Sequence, residues 1–161
     1  KRRTMRERQE VIIINEGAND IKGLSNQELL LLGAIAYWCE GAKQKENNVS
    51  QGVIFSNSDP FLLKLFLKWL REICNITEED ILYNLYIHQT VNAKISLEYW
   101  SKILNIPVDK FGKVVLKKHN IRTLRKNTGD KYHGLIRISV RKSTNLNRKI
   151  AGWVSGINNY V

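Results

Sequence analysis

The chain has 161 residues, of which 43% are hydrophobic and 25% charged, so it can bury a core as one folded domain and is not a disordered tail. Its 26 Lys and Arg against 15 Asp and Glu give a formal net charge of +11, which indicates a polyanionic partner, most simply nucleic acid. Charge alone would also be compatible with an acidic membrane surface as the partner, or with a place in the ribosome. The longest apolar run, Leu29–Cys39, is too short to span a bilayer, because a spanning helix needs roughly 20 residues.

The basic excess is concentrated in one segment. Residues 109–150 hold 13 Lys or Arg and two acidic residues, so this segment carries the whole formal net charge. A solvated surface that only keeps the protein in solution would not require the cations to be segregated. We therefore interpret the segment as a contiguous basic surface that displaces counterions from phosphates.

The cysteines and the N-terminal region indicate the compartment. Cys39 and Cys74 have neither CxxC nor Cys/His spacing, so we expect two buried thiols in a reducing environment. The sequence lacks a signal-peptide pattern, and we expect a cytoplasmic protein that reaches the nucleoid through DNA. Residues 1–24 are expected to form a basic arm or linker that follows an upstream domain, and 25–161 a single domain.

The predicted elements alternate between helices and strands. Ser25 and Glu28 form a capping box, and Asp59 with Pro60 marks a second helix start. In chain order we expect a helix over 26–40, a loop or irregular hairpin over 41–52, a strand over 53–56, a helix from 60 to about 74, a strand over 82–89, a helix over 95–104, a strand over 111–118, a basic loop over 122–132, a strand over 134–142 and a helix over 144–157. This order predicts an α+β fold with a mainly antiparallel sheet and helices packed on one face.

Two strands alternate between apolar and polar residues, and their polar sides share one face of the sheet. On that face we expect Asn84, Tyr86, His88, Arg137, Ser139 and Arg141. Such side chains can bond base edges and phosphates, so the face is suited to a nucleic-acid duplex. The alternative is the ordinary polar exterior of a half-exposed sheet. The clustered charge favours binding.

The helix over 26–40 is apolar on nearly all sides. Gly33, Ala36, Tyr37 and Glu40 share a helical face, and small residues allow a second helix to approach closely. If the partner is the same helix of a second copy, two carboxylates would meet and could hold divalent metal ions for phosphodiester hydrolysis. Spacing alone favours the alternative, a core helix with one solvated Glu at its end.

The residues 32–41, with Ala42 after them, resemble the signature helix of the LAGLIDADG homing-endonuclease-like family. Residues 53–60, running into 62–65, are similar to the strand and second helix that follow in that family, and the later strand–strand–helix order is also similar, with 95–104 as an added helix. Two positions depart from the signature: Ile35 replaces a usual glycine, and Trp38 stands at the earlier acidic position.

The resemblance implies a saddle-shaped domain whose sheet binds duplex DNA in the major groove, with signature helices packed at a dimer axis. It implies that Glu40 binds the catalytic Mg²⁺, the only cofactor expected and only if the protein is catalytic. One signature in the chain implies a homodimer, with Leu29, Gly33, Ala36 and Tyr37 at its interface. We expect neither a membrane nor a small-molecule cofactor as a partner.

The candidate site residues are taken from this resemblance and from the charge pattern. Catalytic candidates are Glu40, Lys113 and Lys117. DNA-binding candidates are Lys43, Lys45, Asn84, Tyr86, His88, Lys113, Lys117, Lys118, Arg122, Arg125, Lys126, Arg137, Ser139, Arg141 and Lys142.

Three functions fit these residues. The first is a site-specific, metal-dependent DNA endonuclease. The second is a catalytically inactive DNA-binding regulator of the same fold; some bacterial and archaeal relatives carry an N-terminal helix-turn-helix, and the basic residues 1–8 are compatible with the exit from one. The third, an RNA-binding protein, ranks below both, because RNA-binding sheets usually expose several aromatic residues and only Tyr86 is expected on the outer face.

Overall fold

The computed structural model describes residues 2–118 and 132–161. In these ranges the elements are α1 (Arg2–Asp20), α2 (Asn26–Glu40), β1 (Ile54–Asn57), α3 (Pro60–Glu72), β2 (Ile81–His88), α4 (Ala93–Leu104), β3 (Phe111–Lys117), β4 (Leu135–Val140) and α5 (Thr144–Asn158), with 3₁₀ turns at Glu78–Asp80 and Val108–Lys110. The helices and strands predicted after residue 25 are confirmed to within a few residues. The predicted basic loop over 122–132 lies outside the described residues, except for Tyr132.

The four described strands form one sheet in the order β1-β4-β2-β3. β4 runs antiparallel to both β1 and β2, whereas β2 and β3 are parallel. The predicted α+β class with a mostly antiparallel sheet is therefore confirmed. The parallel pair follows from α4, because the chain crosses through this helix between β2 and β3 and returns in the same direction.

The core lies between one face of the sheet and the helices. The residues Tyr83, Leu85 and Ile87 of β2 are buried on that face, as the alternation predicted. Across from the sheet, Phe66 of α3 stacks on Phe55 of β1, with 4.2 Å between ring centroids. The inner face thus takes the alternate apolar residues of β2 and leaves Asn84, Tyr86 and His88 on the other face.

Local signals place α2 and α3 as predicted. Ser25 Oγ accepts a bond from the Glu28 amide while the Glu28 carboxylate accepts one from the Ser25 amide, which completes the capping box. Asp59 Oδ1 accepts bonds from the amides of Phe61 and Leu62 at the start of α3. These caps satisfy backbone groups that a helix cannot pair internally.

β4 is shorter than predicted. It ends at Val140 because Lys142 takes a left-handed backbone conformation, with φ of 47°, and the chain turns there into α5. Ser143 Oγ fixes this turn, since it donates to the Val140 carbonyl and accepts from the Val53 amide. Arg141, expected on the outer face of the strand, lies instead in the exposed turn.

The N-terminal arm is a helix without a packing partner in the described chain. All of α1 is exposed, including its apolar residues 11–14. Within the described ranges, none of the helices combines the length and apolarity that crossing a membrane requires.

The cysteine prediction is wrong for one residue. Cys39 is exposed, because it lies on the outward side of α2, and Cys74 is partly buried beyond the end of α3. Burial raises the pKa of the Cys74 thiol to about 12, so this thiol stays protonated and unreactive near neutral pH.

Candidate nucleic-acid interface

The outer face of the sheet brings polar side chains from all four strands into one region. In the strand register, Ser56 of β1 lies opposite Arg137 of β4, and Arg137 lies opposite Asn84 of β2. One step along the sheet, Tyr86 lies opposite Val115, and His88 lies opposite Lys117 of β3. Because side chains alternate along strands, these residues project to the side opposite the core.

Arg137 is held at the centre of this face by two neighbours. Its Nε donates to Ser56 Oγ at 3.2 Å, and its Nη1 donates to the Tyr86 hydroxyl at 2.6 Å. The guanidinium also lies 4.3 Å from the Tyr86 ring centroid, with Lys117 Nζ 5.5 Å from the same ring. We call Ser56, Tyr86, Lys117 and Arg137 the central basic cluster.

The charged side chains on the strands give this face a positive electrostatic potential. The sequences of the four described strands contain Lys113, Lys117 and Arg137 and no Asp or Glu. An anion that approaches the outer face therefore meets fixed cations without a neighbouring carboxylate on the strands. A guanidinium has five N–H groups, and among the described residues Ser56 and Tyr86 engage two of those of Arg137, so within this part of the chain further donors remain.

Three other predicted strand residues have local structural contacts. Asn84 Oδ1 accepts the Lys113 amide at 2.8 Å, where the register between β2 and β3 shifts, so it stabilises an irregularity in the sheet. His88 is half-buried, with its ring 5.6 Å from that of Tyr132. Ser139 lies between Ile54 and Leu82 in register, at the apolar end of the outer face.

The remaining cations lie at the rim or outside the described residues. Lys43 and Lys45 are exposed in the loop after α2, and Lys118, Arg141 and Lys142 are exposed beyond the ends of β3 and β4. Arg122, Arg125 and Lys126 fall in 119–131 and are outside the described part of the chain.

A buried polar network fixes the loop after α2. Asn147 of α5 is 4% exposed, and its Nδ2 lies 2.8 Å from the Tyr37 hydroxyl and 2.9 and 3.3 Å from the carbonyls of Ala42 and Gly52, so its two N–H groups serve three acceptors and one of them is shared. The Tyr37 hydroxyl in turn donates to the Ala42 carbonyl at 2.6 Å. Burial raises the pKa of Tyr37 to about 12. The sequence analysis did not identify Asn147. A polar residue at an inward position of the amphipathic helix α5 is the pattern that could have indicated it.

This network holds the C-terminus of α2 next to β1, at the edge of the sheet. Gly41 forms an antiparallel bridge with Phe55, and the Ala42 amide donates to the Ile54 carbonyl at 2.9 Å. Glu40 is therefore exposed beside β1, the strand that contributes Ser56 to the central basic cluster.

Most of the residues predicted at the dimer interface are packed within the chain. Leu29, Gly33 and Tyr37 are buried within the chain, and a Cβ on Gly33 would lie 2.0 Å from Trp69 Cδ1, so this face of α2 packs on α3. Ala36 is half-buried. The exposed apolar side of α2 is a different stripe, formed by Leu31, Leu32, Ile35 and Trp38, each 41–47% exposed.

The angular position of Glu40 matters for a metal site. At about 100° per residue, Glu40 is about 140° around α2 from Ile35, the middle of the exposed stripe, and lies on the side of Gly33. No group of three or more Asp, Glu, His or Cys in the described residues could hold a metal ion. Mg²⁺ is often held by only one or two carboxylates together with substrate phosphates, so Glu40 fits as a ligand if a second copy supplies another carboxylate.

Comparison with protein-family models, with curated proteins and with solved structures gives no match to this chain. The class that the fold defines is an α+β domain with a four-stranded, mostly antiparallel sheet in its described part, whose strands contain Lys and Arg but no Asp or Glu.

Proposed function

We propose that this chain binds double-stranded DNA through the outer face of its sheet, as a domain of the LAGLIDADG homing-endonuclease type. The observation that carries the proposal is the central basic cluster, in which Ser56 and Tyr86 fix Arg137 on a face whose strands have no carboxylate. Fixed donors on a positive face are suited to phosphates and to the acceptor edges of bases in a groove.

The order of elements supports the family assignment. α2, the bridged loop with β1, and α3 follow the order of the resemblance, and β4 leads into a last helix, α5. The parallel pairing of β2 and β3 through α4 is the main departure, and it lies at the edge of the sheet away from β1. We propose the saddle shape of the domain together with its DNA-binding function.

The salt dependence of binding tests the interface. The variant Arg137→Gln/Lys117→Gln should weaken binding to duplex DNA and flatten the plot of log K against log salt by about two units, because each lost phosphate contact removes about 0.9. The control is Lys94→Gln, an exposed lysine in the first turn of α4. An unchanged slope in the double variant would refute this face as the interface, and equal binding to an RNA duplex would favour the RNA-binding alternative.

Phosphodiester cleavage is the activity that the resemblance implies, and it requires Glu40. This carboxylate, with that of a second copy, would hold Mg²⁺, which when bound would supply Lewis-acid stabilisation of charge at the phosphate. Lys113 and Lys117 lie on the outer face, where they would hold the phosphate backbone by charge.

A DNA-binding regulator without cleavage is the second candidate, and the angular position of Glu40 favours it. A dimer formed through the exposed stripe of α2 would keep the two Glu40 carboxylates apart, about 140° from the contact.

The variant Glu40→Gln separates the two candidates. In an endonuclease it should abolish Mg²⁺-dependent cleavage of bound duplex and leave binding equal or slightly tighter, since a negative charge near phosphates is removed. In a regulator it should change neither binding nor the response to Mg²⁺. Wild-type protein saturating its preferred duplex with Mg²⁺ or Mn²⁺ and producing no strand breaks would exclude the endonuclease.

A further inference from the structure

A cleft of about 430 Å³ lies between the C-terminal end of α2, the loop after it and α5. Its walls include Trp38, Ile150 and Ala151, and its cations are Lys43 and Arg148. The volume is in the range of small-molecule sites, which combine apolar walls with a few placed polar groups. Of the described residues that line it, none is acidic.

The apolar wall is unusually open. Trp38 is 46% exposed although it is the bulkiest side chain of α2, and Lys43 Nζ lies 5.6 Å from its ring centroid. Lys43 is itself exposed, and its Nζ donates to the Gly41 carbonyl at 3.4 Å, so moving it off the ring breaks one long hydrogen bond and no apolar core contact. A planar ring could then stack on the indole beside Ala151, which is exposed on α5.

The cationic side is held in place before any ligand binds. Arg148 Nε donates to Gln44 Oε1 at 3.3 Å, Nη1 to Asn145 Oδ1 at 3.3 Å and Nη2 to the Val49 carbonyl at 3.2 Å. Among the described residues three of its five N–H donors are engaged, which restrains the guanidinium and leaves two for an anion. Its charge meets no carboxylate in the cleft.

The floor offers an unused acceptor. Asn147 lines the cleft and is 96% buried, with its Nδ2 bonded to the Tyr37 hydroxyl and to the loop carbonyls of Ala42 and Gly52. Among the described residues its Oδ1 accepts no hydrogen bond, so it can accept one from a ligand N–H. The aromatic wall and the N–H acceptor complement the base of a nucleotide, and the cation complements its phosphate.

We propose that this cleft binds a nucleotide, with its base against Trp38, an N–H of the base on Asn147 Oδ1, and its phosphate on Arg148 and Lys43. The site is separate from the central basic cluster and does not depend on duplex binding by the outer face. The same chemistry is offered by a free mononucleotide and by an unpaired nucleotide within a DNA strand, so the experiment distinguishes the two sources.

The first arm is a calorimetric titration of the full chain with the four deoxynucleoside monophosphates, the matching nucleosides and inorganic phosphate. At least one monophosphate should bind about tenfold tighter than both its nucleoside and phosphate. Arg148→Gln should remove that advantage without changing nucleoside binding, and Ala151→Phe, which fills the cleft from an exposed position, should weaken every monophosphate about tenfold or more. Lys94→Gln, remote from the cleft, should leave all affinities unchanged.

The second arm compares two DNA hairpins that differ only in one unpaired nucleotide. If that nucleotide raises the affinity of wild type but not of Ala151→Phe, the ligand is part of a nucleic acid; if free monophosphates bind and the unpaired nucleotide has no effect, the ligand is a free nucleotide. Thermal melting of both variants checks that they are folded. The proposal is overturned if no monophosphate binds below about 1 mM and the unpaired nucleotide has no effect, or if folded Ala151→Phe binds as wild type does.

Discussion

Gly33 is the residue at which the interface and core interpretations of α2 make opposite predictions. A methyl group on Gly33 would lie 2.0 Å from Cδ1 and 2.1 Å from Cγ of Trp69, whose side chain is fully buried. The indole cannot move aside easily, because it packs against Phe66 and Trp153 at centroid distances of 5.5 and 5.8 Å. We therefore predict that Gly33→Ala destabilises the folded chain rather than an assembly of two chains.

The magnitude follows from two opposing effects. Overpacking of a well-filled core costs about 1–3 kcal/mol, and replacing glycine by alanine in a helix gains about 1 kcal/mol. Since the contacting atoms belong to a buried ring, the upper end of the cost applies, and the net loss in unfolding free energy should be about 2 kcal/mol. In a chain of this size that corresponds to a melting temperature lower by about 4–8 °C.

Thermal and urea unfolding followed by circular dichroism measure this loss. The matched control is Gly152→Ala on α5, where a new Cβ has no heavy atom within 4 Å, so this variant should be as stable as wild type or up to about 1 kcal/mol more stable. Gly33→Ala that melts at the wild-type temperature while its sedimentation coefficient falls would refute the core assignment and restore Gly33 to an interface.

Two further predictions follow from buried and exposed groups. Burial raises the pKa of Tyr37 to about 12, so between about pH 10 and 12 the unfolded chain loses this proton while the folded chain keeps it. The free energy of unfolding, measured by urea titration at each pH, should therefore fall as the pH rises through this range, and it should fall less steeply in Tyr37→Phe. Equal slopes in the two proteins would contradict the prediction. If the exposed stripe of α2 joins two copies, a short bismaleimide should cross-link Cys39 to Cys39, and Cys39→Ser should abolish the product; a sedimenting dimer that does not cross-link would place the contact elsewhere.

The parts of the fold that depend on local sequence could be predicted. The start of α2 follows from Ser25 and Glu28, and the start of α3 from Asp59 and Pro60, because caps act within one helical turn. The two faces of β2 follow from strict alternation, which the structure reproduces residue by residue. These signals need no knowledge of the neighbouring elements.

The pairing of elements could not be predicted in the same way. β3 is an edge strand, so Val114 and Leu116 are exposed on its inner side, and its weak alternation gave neither its direction nor its neighbour. The contact of Arg137 with Ser56 joins residues 81 positions apart in sequence. The sequence placed Arg137 on the outer face, but only the strand order shows which groups orient it.

Which face of α2 packs inside the chain could not be predicted, for a related reason. A helix that is apolar on all sides has no polar stripe to mark its solvent side, so helical spacing groups Gly33 with Tyr37 and Glu40 without showing what they face. Packing against Trp69 resolves the choice, because only a glycine permits α2 and α3 to approach so closely at that point.

The position of Glu40 on α2 bears directly on the proposed metal site. Glu40 continues the face of Gly33, and the Asn147 network turns the chain directly after it towards β1, so this exposed residue lies beside that strand. The apolar stripe that remains exposed on α2 points about 140° away. A dimer through that stripe and a metal site built from two Glu40 carboxylates therefore require different relative positions of the two copies. DNA binding by the central basic cluster needs neither arrangement, since all four of its residues belong to one chain, and this is why the proposal of binding stands independently of the proposal of cleavage.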